Sequence, residues 1–367
     1  MSIAYRVGIM GATGYTGSEL VRILSHHPQV EIVYITSESR QGESFADVHP
    51  AFLGSAEQTL ISAETVLEDP AAHAVDLLFL ALPHGVSMDY VKRLSEARYP
   101  AKMIDFSGDF RLSSPAVYEQ WYPKTHSYPK GFETAVYGLP EFFREAIQEA
   151  ALVANPGCFP TATLLALAPL LRAHQQTSSR WQLDPAFCIV DAKTGVTGAG
   201  VKASPTTHFA NVHDNFKAYG VKNHRHTIEI QQMMQQHGED LPTVQFTPHL
   251  LPVDRGIFAT LYLRLQSLTA SSQNPAIVRQ QLLELYTDYY ASHPFVRVCQ
   301  QVPTLKSVRG SNYCHVYVDW DVRTGNVILM SAIDNLVKGA AGQAVQNMNL
   351  MLGLPEDMGL SHIPLSP

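Results

Sequence analysis

The segment Asn155-Pro156-Gly157-Cys158-Phe159-Pro160-Thr161 places a cysteine where a short apolar run, Leu152 to Ala154, gives way to a helix. The peptide N–H groups of a helix's first turn lack intrahelical partners and carry positive partial charge. A sulfur held there has its pKa lowered and becomes a nucleophile near neutral pH. Pro156 and Gly157 supply a sharp turn, and Pro160 suits a first turn because its missing N–H would have had no partner. The bland alternative is a buried structural thiol, the usual fate of a lone cysteine. What decides between them lies elsewhere in the chain.

A second chemical motif stands near the N-terminus. Gly8-Ile9-Met10-Gly11-Ala12-Thr13-Gly14-Tyr15-Thr16-Gly17 follows a strand, Tyr5 to Met10, and opens a helix. In that context Gly11 permits a tight turn, Gly14 lets the backbone approach a pyrophosphate, and Gly17 allows close packing, while the helix N-terminus faces phosphate charge. Thr13, Tyr15 and Thr16 lie in the same loop and are grouped with its cofactor contacts. The spacing is GxxGxxG and departs from the simplest dinucleotide fingerprint, GxGxxG. After the second strand comes Thr36-Ser37-Glu38-Ser39-Arg40. An acidic residue there suits the ribose hydroxyls of NAD, whereas hydroxyls and a cation suit a 2′-phosphate. Ser37, Ser39 and Arg40 favour NADP; Glu38 is the dissenting residue.

The elements that must position these groups alternate. Strands at Tyr5–Met10, Glu31–Thr36, Val75–Leu82 and Met103–Phe106, with helices at Gly14–His26 and Val86–Ala97, read as a parallel sheet covered by helices. After Cys158 come a helix at Ala162–Ala173, a strand at Phe187–Asp191 and a long polar loop from Lys193 to about Asn223. Strand-forming runs follow at 243–247, 257–265, 295–298, 313–321 and 327–333, interrupted by a helix at 274–291. This predicts a largely antiparallel sheet with helices on one face. A last helix, Leu336–Leu352, carries small residues in its first half and is expected to return to the first domain. The expected fold class is therefore α/β plus α+β: a Rossmann-type parallel-sheet domain at 1–157, a catalytic and dimerisation domain of mainly antiparallel sheet and helices at 158–332, and a returning C-terminal segment at 333–367.

With 26 Lys and Arg against 33 Asp and Glu, the net charge of −7 gives no footprint for nucleic acid or an anionic membrane. Cys158, Cys188, Cys299 and Cys314 form neither CxxC pairs nor zinc spacing, so neither a disulfide framework nor a metal site is expected. No signal peptide or membrane span is visible, which makes a reducing cytoplasm the expectation.

Taken together, GATGYTGSEL from Gly11, DFSGDFRL from Asp105, NPGCFPTA from Asn155, KTGVTGAG from Lys193, HRHTIEI from His224 and DNLVKGAAGQAVQNMN from Asp334 give a nearly end-to-end resemblance. The chain resembles the N-acetyl-gamma-glutamyl-phosphate reductases, arginine-biosynthesis enzymes related to aspartate-semialdehyde dehydrogenase. The NPGC and HRHxxEI segments point to the glutamyl-phosphate branch. Phe159 stands where many relatives have tyrosine, and Thr197 where serine is usual; neither departure removes a required group.

The resemblance implies NADP(H)-dependent, reversible reduction of an acyl phosphate to an aldehyde with release of inorganic phosphate, with Cys158 forming a thioester. It implies that His224 or His226 is the acid–base partner, with His224 slightly preferred because it lies at the mouth of the polar loop. If a helix begins there, Glu229 shares a face with His226 and can orient an imidazole. Arg111 is assigned to the anionic substrate, with Asn155 and Arg225 grouped beside it and Arg255 a weaker candidate. Ser107 and Gly198 are placed along the cofactor edge. Asn335 is the expected contact to the nicotinamide carboxamide; its bland reading is a helix N-cap. A homo-oligomer, dimer or tetramer, is expected. Two alternatives remain: a sister acyl-phosphate reductase for an aspartyl or aminoadipyl substrate, and a nonenzymatic dinucleotide sensor, which would need neither the cysteine nor the HRH pair.

Overall fold

The computed structural model describes residues 4–268 and 274–366; residues 1–3 and 367 of the expected domain bounds lie outside the described residues. The chain divides into two compact units, Met1–Gly157 with Ala340–His362, and Cys158–Gly339 with Ile363–Pro367. Among the described residues no helix is long and apolar enough to cross a membrane.

The first unit holds six strands: β1 Tyr5–Met10, β2 Val30–Ile35, β3 Leu77–Leu80, β4 Lys102–Asp105, β5 Ala135–Tyr137 and β6 Leu152–Ala154. They lie in the order β2-β1-β3-β4-β6-β5, and every adjacent pair is parallel. All four residues of β3 are buried, as an uninterrupted apolar run between two covered faces requires. Because β2 and β3 flank β1 on opposite sides, the strand order reverses at β1. Open parallel sheets bind ligands outside the carboxyl ends of the strands at such a point.

The C-terminal helix Gly342–Met351 is buried throughout and belongs to this unit. Asn155, just past β6, donates from Nδ2 to Ala340 O at 3.1 Å. At the other end Lys102 donates to Met351 O at 2.7 Å and the Tyr5 hydroxyl to Leu352 O at 2.9 Å, satisfying carbonyls that a helix end leaves unpaired. The helix thus begins at the carboxyl ends of the strands and finishes at their amino ends. One turn of π-helix, Val337–Ala341, precedes it, so the single helix expected over 336–352 is broken.

In the second unit, strands β7 Leu183–Thr194, β8 Lys217–Ala218, β9 Val244–Leu250, β10 Ile257–Leu265, β11 Val296–Val298, β12 Cys314–Asp321 and β13 Asn326–Ile333 take the order β11-β12-β13-β10-β7-β9-β8. The sheet is mixed: β11/β12 and β7/β9 are parallel, the other four pairs antiparallel. Burial alternates strictly along β12, so one face is packed. The helix Cys158–His174 lies on that face: Ser331 Oγ of β13 donates to Ala162 O at 2.8 Å, and Tyr286 of helix Pro275–Tyr290 donates to Ala166 O at 2.7 Å. This helix is apolar around its whole circumference, so it reads as an interior element.

Candidate active site

The nucleotide loop divides its glycines by task. Gly11 has φ +82°, and a Cβ there would lie 2.4 Å from Ala81 O. At Gly17 a Cβ would lie 2.5 Å from Gly11 O and 2.6 Å from Ala12 Cα, so this glycine packs on its own loop. At Gly14 a Cβ would meet nothing within 4 Å. The first and third glycines therefore close the turn, and the second leaves bare backbone facing open space. Helix Tyr15–Leu24 starts at Gly14 with no side-chain cap and no acidic residue in its first turn, so its N–H groups are oriented for an anion. Thr36 Oγ1 accepts from Gly11 N at 3.3 Å, and the Thr13 and Ser37 hydroxyls lie 3.0 Å apart. Thr16 is half-buried and Tyr15 exposed at the rim. The phosphates of a dinucleotide fit these residues.

Glu38 is engaged elsewhere. Its Oε1 accepts from Ala63 N at 2.8 Å and its Oε2 from Ser62 Oγ at 3.3 Å, at the start of helix Ala63–Glu68. A carboxylate there complements the helix dipole. Ser37 is buried, whereas Ser39 and Arg40 are exposed, Arg40 meeting Glu43 at 3.4 Å in a surface pair of little energetic weight.

Past β4, the Asp105–Arg111 segment is held by its two aspartates. Asp105 is wholly buried; its carboxylate accepts from the Ser87 hydroxyl, from Ser107 N at 3.0 Å and from Ser107 Oγ at 2.7 Å. Burial first, and the nearby Asp109 second, push its pKa up to about 6. Asp109 Oδ1 accepts from Gly85 N at 2.8 Å and Oδ2 from Met88 N at 3.0 Å, binding the loop to the start of helix Ser87–Glu96. The Ser107 side chain, expected along a cofactor edge, is thus committed to the interior, 1% exposed. Arg111 is 6% exposed; its Nε donates to Asn155 O at 2.7 Å and its Nη2 to Phe106 O at 2.6 Å. Asn155 is fully buried, its Nδ2 on Ala340 O and its Oδ1 accepting from Asn347 Nδ2 at 3.1 Å. Its side chain holds the returning helix.

In the second unit Cys158 is the first residue of its helix, four residues before the start expected from apolar periodicity, and it is half-buried. The helix begins early because Phe159 and Pro160 are themselves core residues. Gly339 packs against the cysteine: a Cβ there would stand 2.8 Å from Cys158 Cβ. Helix His226–Gln235 starts inside the HRH segment, so His226 and the buried Glu229 fall three residues apart on one face. Arg225 is exposed at the N-cap.

The two imidazoles stand with ring centroids 4.8 Å apart, and both pack on Phe159, at 5.7 Å for His224 and 5.9 Å for His226. His224 is further enclosed by Phe246 at 5.4 Å and Tyr219 at 5.5 Å. Its Nδ1 accepts from His226 N at 3.2 Å. Burial, helped by Arg225, lowers its pKa to about 4, so it is neutral near pH 7 and carries its proton on Nε2.

The glycine loop after β7 is tied down and not slack. Its 3₁₀ turn, Val196–Ala199, is bonded through Val196 N to Val253 O at 2.9 Å and through Thr197 N to Asp254 O at 3.1 Å. Asn335 joins the two segments: Nδ2 donates to Thr197 Oγ1 at 3.0 Å and Oδ1 accepts from Gly256 N at 2.7 Å. Gly198 sits in this turn. The cap of the following turn is Asp334, whose Oδ1 accepts from Leu336 N at 2.8 Å, so the N-cap reading of Asn335 is corrected to its neighbour. Three residues that shape these places are not singled out from sequence, Tyr219, Phe246 and Asp334, whereas Gly339 is one of the small residues read at the start of the last helix. Only Asp334 carried a local signal, an aspartate two residues before the turn's first amides.

Residues 6–150 match the model of the semialdehyde dehydrogenase NAD binding domain, and residues 158–335 that of the semialdehyde dehydrogenase dimerisation domain. An oxidoreductase with a nicotinamide-dinucleotide domain is thereby defined. Solved structures agree in fold: aspartate semialdehyde dehydrogenase II of Vibrio cholerae, complexed with ASA, aligns with a TM-score of 0.68 at 17% identity over 96% of this chain and 99% of that one. Aspartate semialdehyde dehydrogenase with NADP from Candida albicans gives 0.66 at 16% identity, over 97% of this chain and 99% of that one. Full-length relatives are much nearer in sequence. N-acetyl-gamma-glutamyl-phosphate reductase of Pelotomaculum thermopropionicum is 47% identical over 100% of both chains. That of Desulforudis audaxviator is 48% identical over 99% of both, and that of Bacillus subtilis 47% over 99% of this chain and 100% of its own. The chain belongs to the N-acetyl-gamma-glutamyl-phosphate reductases, within the semialdehyde dehydrogenase family.

Proposed function

We propose that this chain reduces N-acetyl-L-glutamyl 5-phosphate to N-acetyl-L-glutamate 5-semialdehyde with NADPH, releasing inorganic phosphate, in the cytoplasmic arginine-biosynthesis route. The observation that carries the reading is Cys158 as the first residue of a buried apolar helix, next in sequence to Phe159, on which both imidazoles pack. Cys158 Sγ attacks the acyl carbon, the carbon–oxygen bond to phosphate breaks, and a thioester remains on the sulfur. The hydride that takes the thioester to the aldehyde level would come from NADPH held at the Gly11–Gly17 loop. Collapse of the resulting oxyanion returns the electron pair to sulfur, and the thiol regains its proton.

His224 is neutral with its Nδ1 occupied, which makes its Nε2–H a donor and leaves proton transfer to His226. This reverses the slight preference for His224 drawn from its place in the loop. Glu229 orients His226 from the same helix face. Arg111, fixed by two carbonyls, and the exposed Arg225 answer the substrate's anionic groups. Asn155 is a positioning residue for Arg111, through its carbonyl. Gly11, Thr13, Gly14, Tyr15, Thr16 and Gly17 take the pyrophosphate. Ser37, Ser39 and Arg40 take the 2′-phosphate, which the capture of Glu38 by a helix start supports. Ser107, Gly198 and Asn335 act by shaping their loops. Self-association of the second unit, as dimer or tetramer, completes the proposal.

The test is turnover in the oxidative direction with phosphate, comparing N-acetylglutamate semialdehyde with aspartate semialdehyde and NADP with NAD. Activity is expected with the acetylated substrate and NADP. Activity confined to the free-amine aspartyl substrate would overturn the reading.

A further inference from the structure

The polar loop between Gly200 and His224 delivers one aromatic side chain to the thiol site. Tyr219 follows β8, and its backbone N donates to Pro248 O of β9 at 3.0 Å, so its Cα is fixed by the sheet edge. Its ring stands against His224 at a centroid separation of 5.5 Å and an interplanar angle of 69°. His224 also meets Phe159, the residue after the cysteine. Among the described residues the Tyr219 hydroxyl makes no hydrogen bond, and although most of the side chain is enclosed the oxygen is not one of the buried polar atoms left without a partner, so it stays open to a ligand. Burial raises the phenol's pKa, and a thiolate charge on Cys158 would raise it further. Burial and that charge both hold the phenol in its protonated, donor form.

We infer that the Tyr219 hydroxyl is a substrate-contacting donor of the thiol site, directed at an oxygen of the acyl group carried by Cys158. A neutral phenol held by a ring contact and a sheet-edge amide is preorganised for charge that develops on such an oxygen. No atom is transferred: the O–H donates in the acyl-enzyme and the tetrahedral state. The inference rests on the reading of Cys158 as nucleophile.

The test is Tyr219→Phe, which keeps the ring on His224 and removes only the oxygen. Alkylation of Cys158 by iodoacetamide, its pH profile and NADPH affinity should match the parent. Single-turnover acylation and kcat should fall about 100- to 1,000-fold, the range for losing one preorganised donor. Unchanged kcat and acylation rate in a variant whose Cys158 is alkylated normally would overturn the role of Tyr219 alone. Failure of the parent enzyme to be acylated at Cys158 would overturn the nucleophile reading beneath it. Tyr219→Ala, which removes the ring as well, should further disturb His224 and shift the pH profile of alkylation; a profile identical to Tyr219→Phe would contradict the ring contact.

Discussion

The nucleotide loop and the thiol site are built on opposite plans. In the loop, function comes from side chains that are missing: Gly11 and Gly17 leave no room for a Cβ, and Gly14 leaves the backbone uncovered. All of it lies within ten consecutive residues. In the thiol site, function comes from side chains gathered from three separated segments, Phe159, the loop that carries Tyr219 and His224, and Phe246, brought together only by the fold. A site made of backbone is written contiguously. A site made of side chains is written only in the topology that brings them together.

Substitutions can sharpen that contrast. The largest effect is expected from Cys158→Ser, which exchanges a thiolate for a weakly nucleophilic hydroxyl at nearly constant volume: turnover should drop at least about 10³-fold. NADPH affinity, measured by fluorescence, should stay at the parent value, since the loop is formed without the cysteine. An unaffected rate would remove the distinction between the two regions. Next comes Gly17→Ala. The added methyl would stand 2.5 Å from Gly11 O, so the turn must open, and NADPH affinity should weaken about 10- to 100-fold, the equivalent of roughly 1–3 kcal/mol of strain. Iodoacetamide reactivity of Cys158 should be little changed. Parent-like affinity would mean that the turn does not depend on that close approach.

The smallest effect concerns pH. Asp105 has its pKa raised from 3.8 to about 6 in the fold, so the native state holds a proton that the unfolded chain releases between those values. Stability contributed by this group therefore falls as pH rises from about 4 to about 6. Chemical-denaturation midpoints of Asp105→Asn should lack that part of the slope relative to the parent. An identical slope would place the titration elsewhere. His224 has the opposite sign, its lowered pKa costing stability as pH falls from 6.5 to about 4.

These patterns explain what sequence could deliver. The strand Tyr5–Met10 and the strand Ile257–Leu265 are observed with the bounds their apolar patterns predict, because both are central strands whose burial is written in their own residues. By contrast β7 runs from Leu183 to Thr194, well beyond the apolar stretch at Phe187–Asp191, because its ends are defined by pairing with β10 and β9. β5 and helix Pro140–Glu149 were not anticipated: a three-residue strand has no period to read, and the helix is kinked at Phe143. Within the site, the glycines, Cys158 and the HRH helix start were legible as local chemistry. Glu38 was not, since the amide it caps belongs to Ala63, twenty-five residues on. The internal partners of Asn155 and Ser107 are equally illegible: each is polar and follows a strand's carboxyl end, and its hydrogen bonds run to Ala340 and Asn347 in one case and to Asp105 in the other. Tyr219 was invisible in a polar loop until the loop's end was seen against β9.

The central claim is that one sulfur accepts the acyl group. Incubating the protein with N-acetylglutamyl phosphate without NADPH, quenching in acid and mapping the adduct by peptide mass spectrometry tests it directly. One added N-acetylglutamyl mass is expected on the peptide containing Cys158, discharged on adding NADPH. No adduct, or an adduct on Cys188, Cys299 or Cys314, would contradict it.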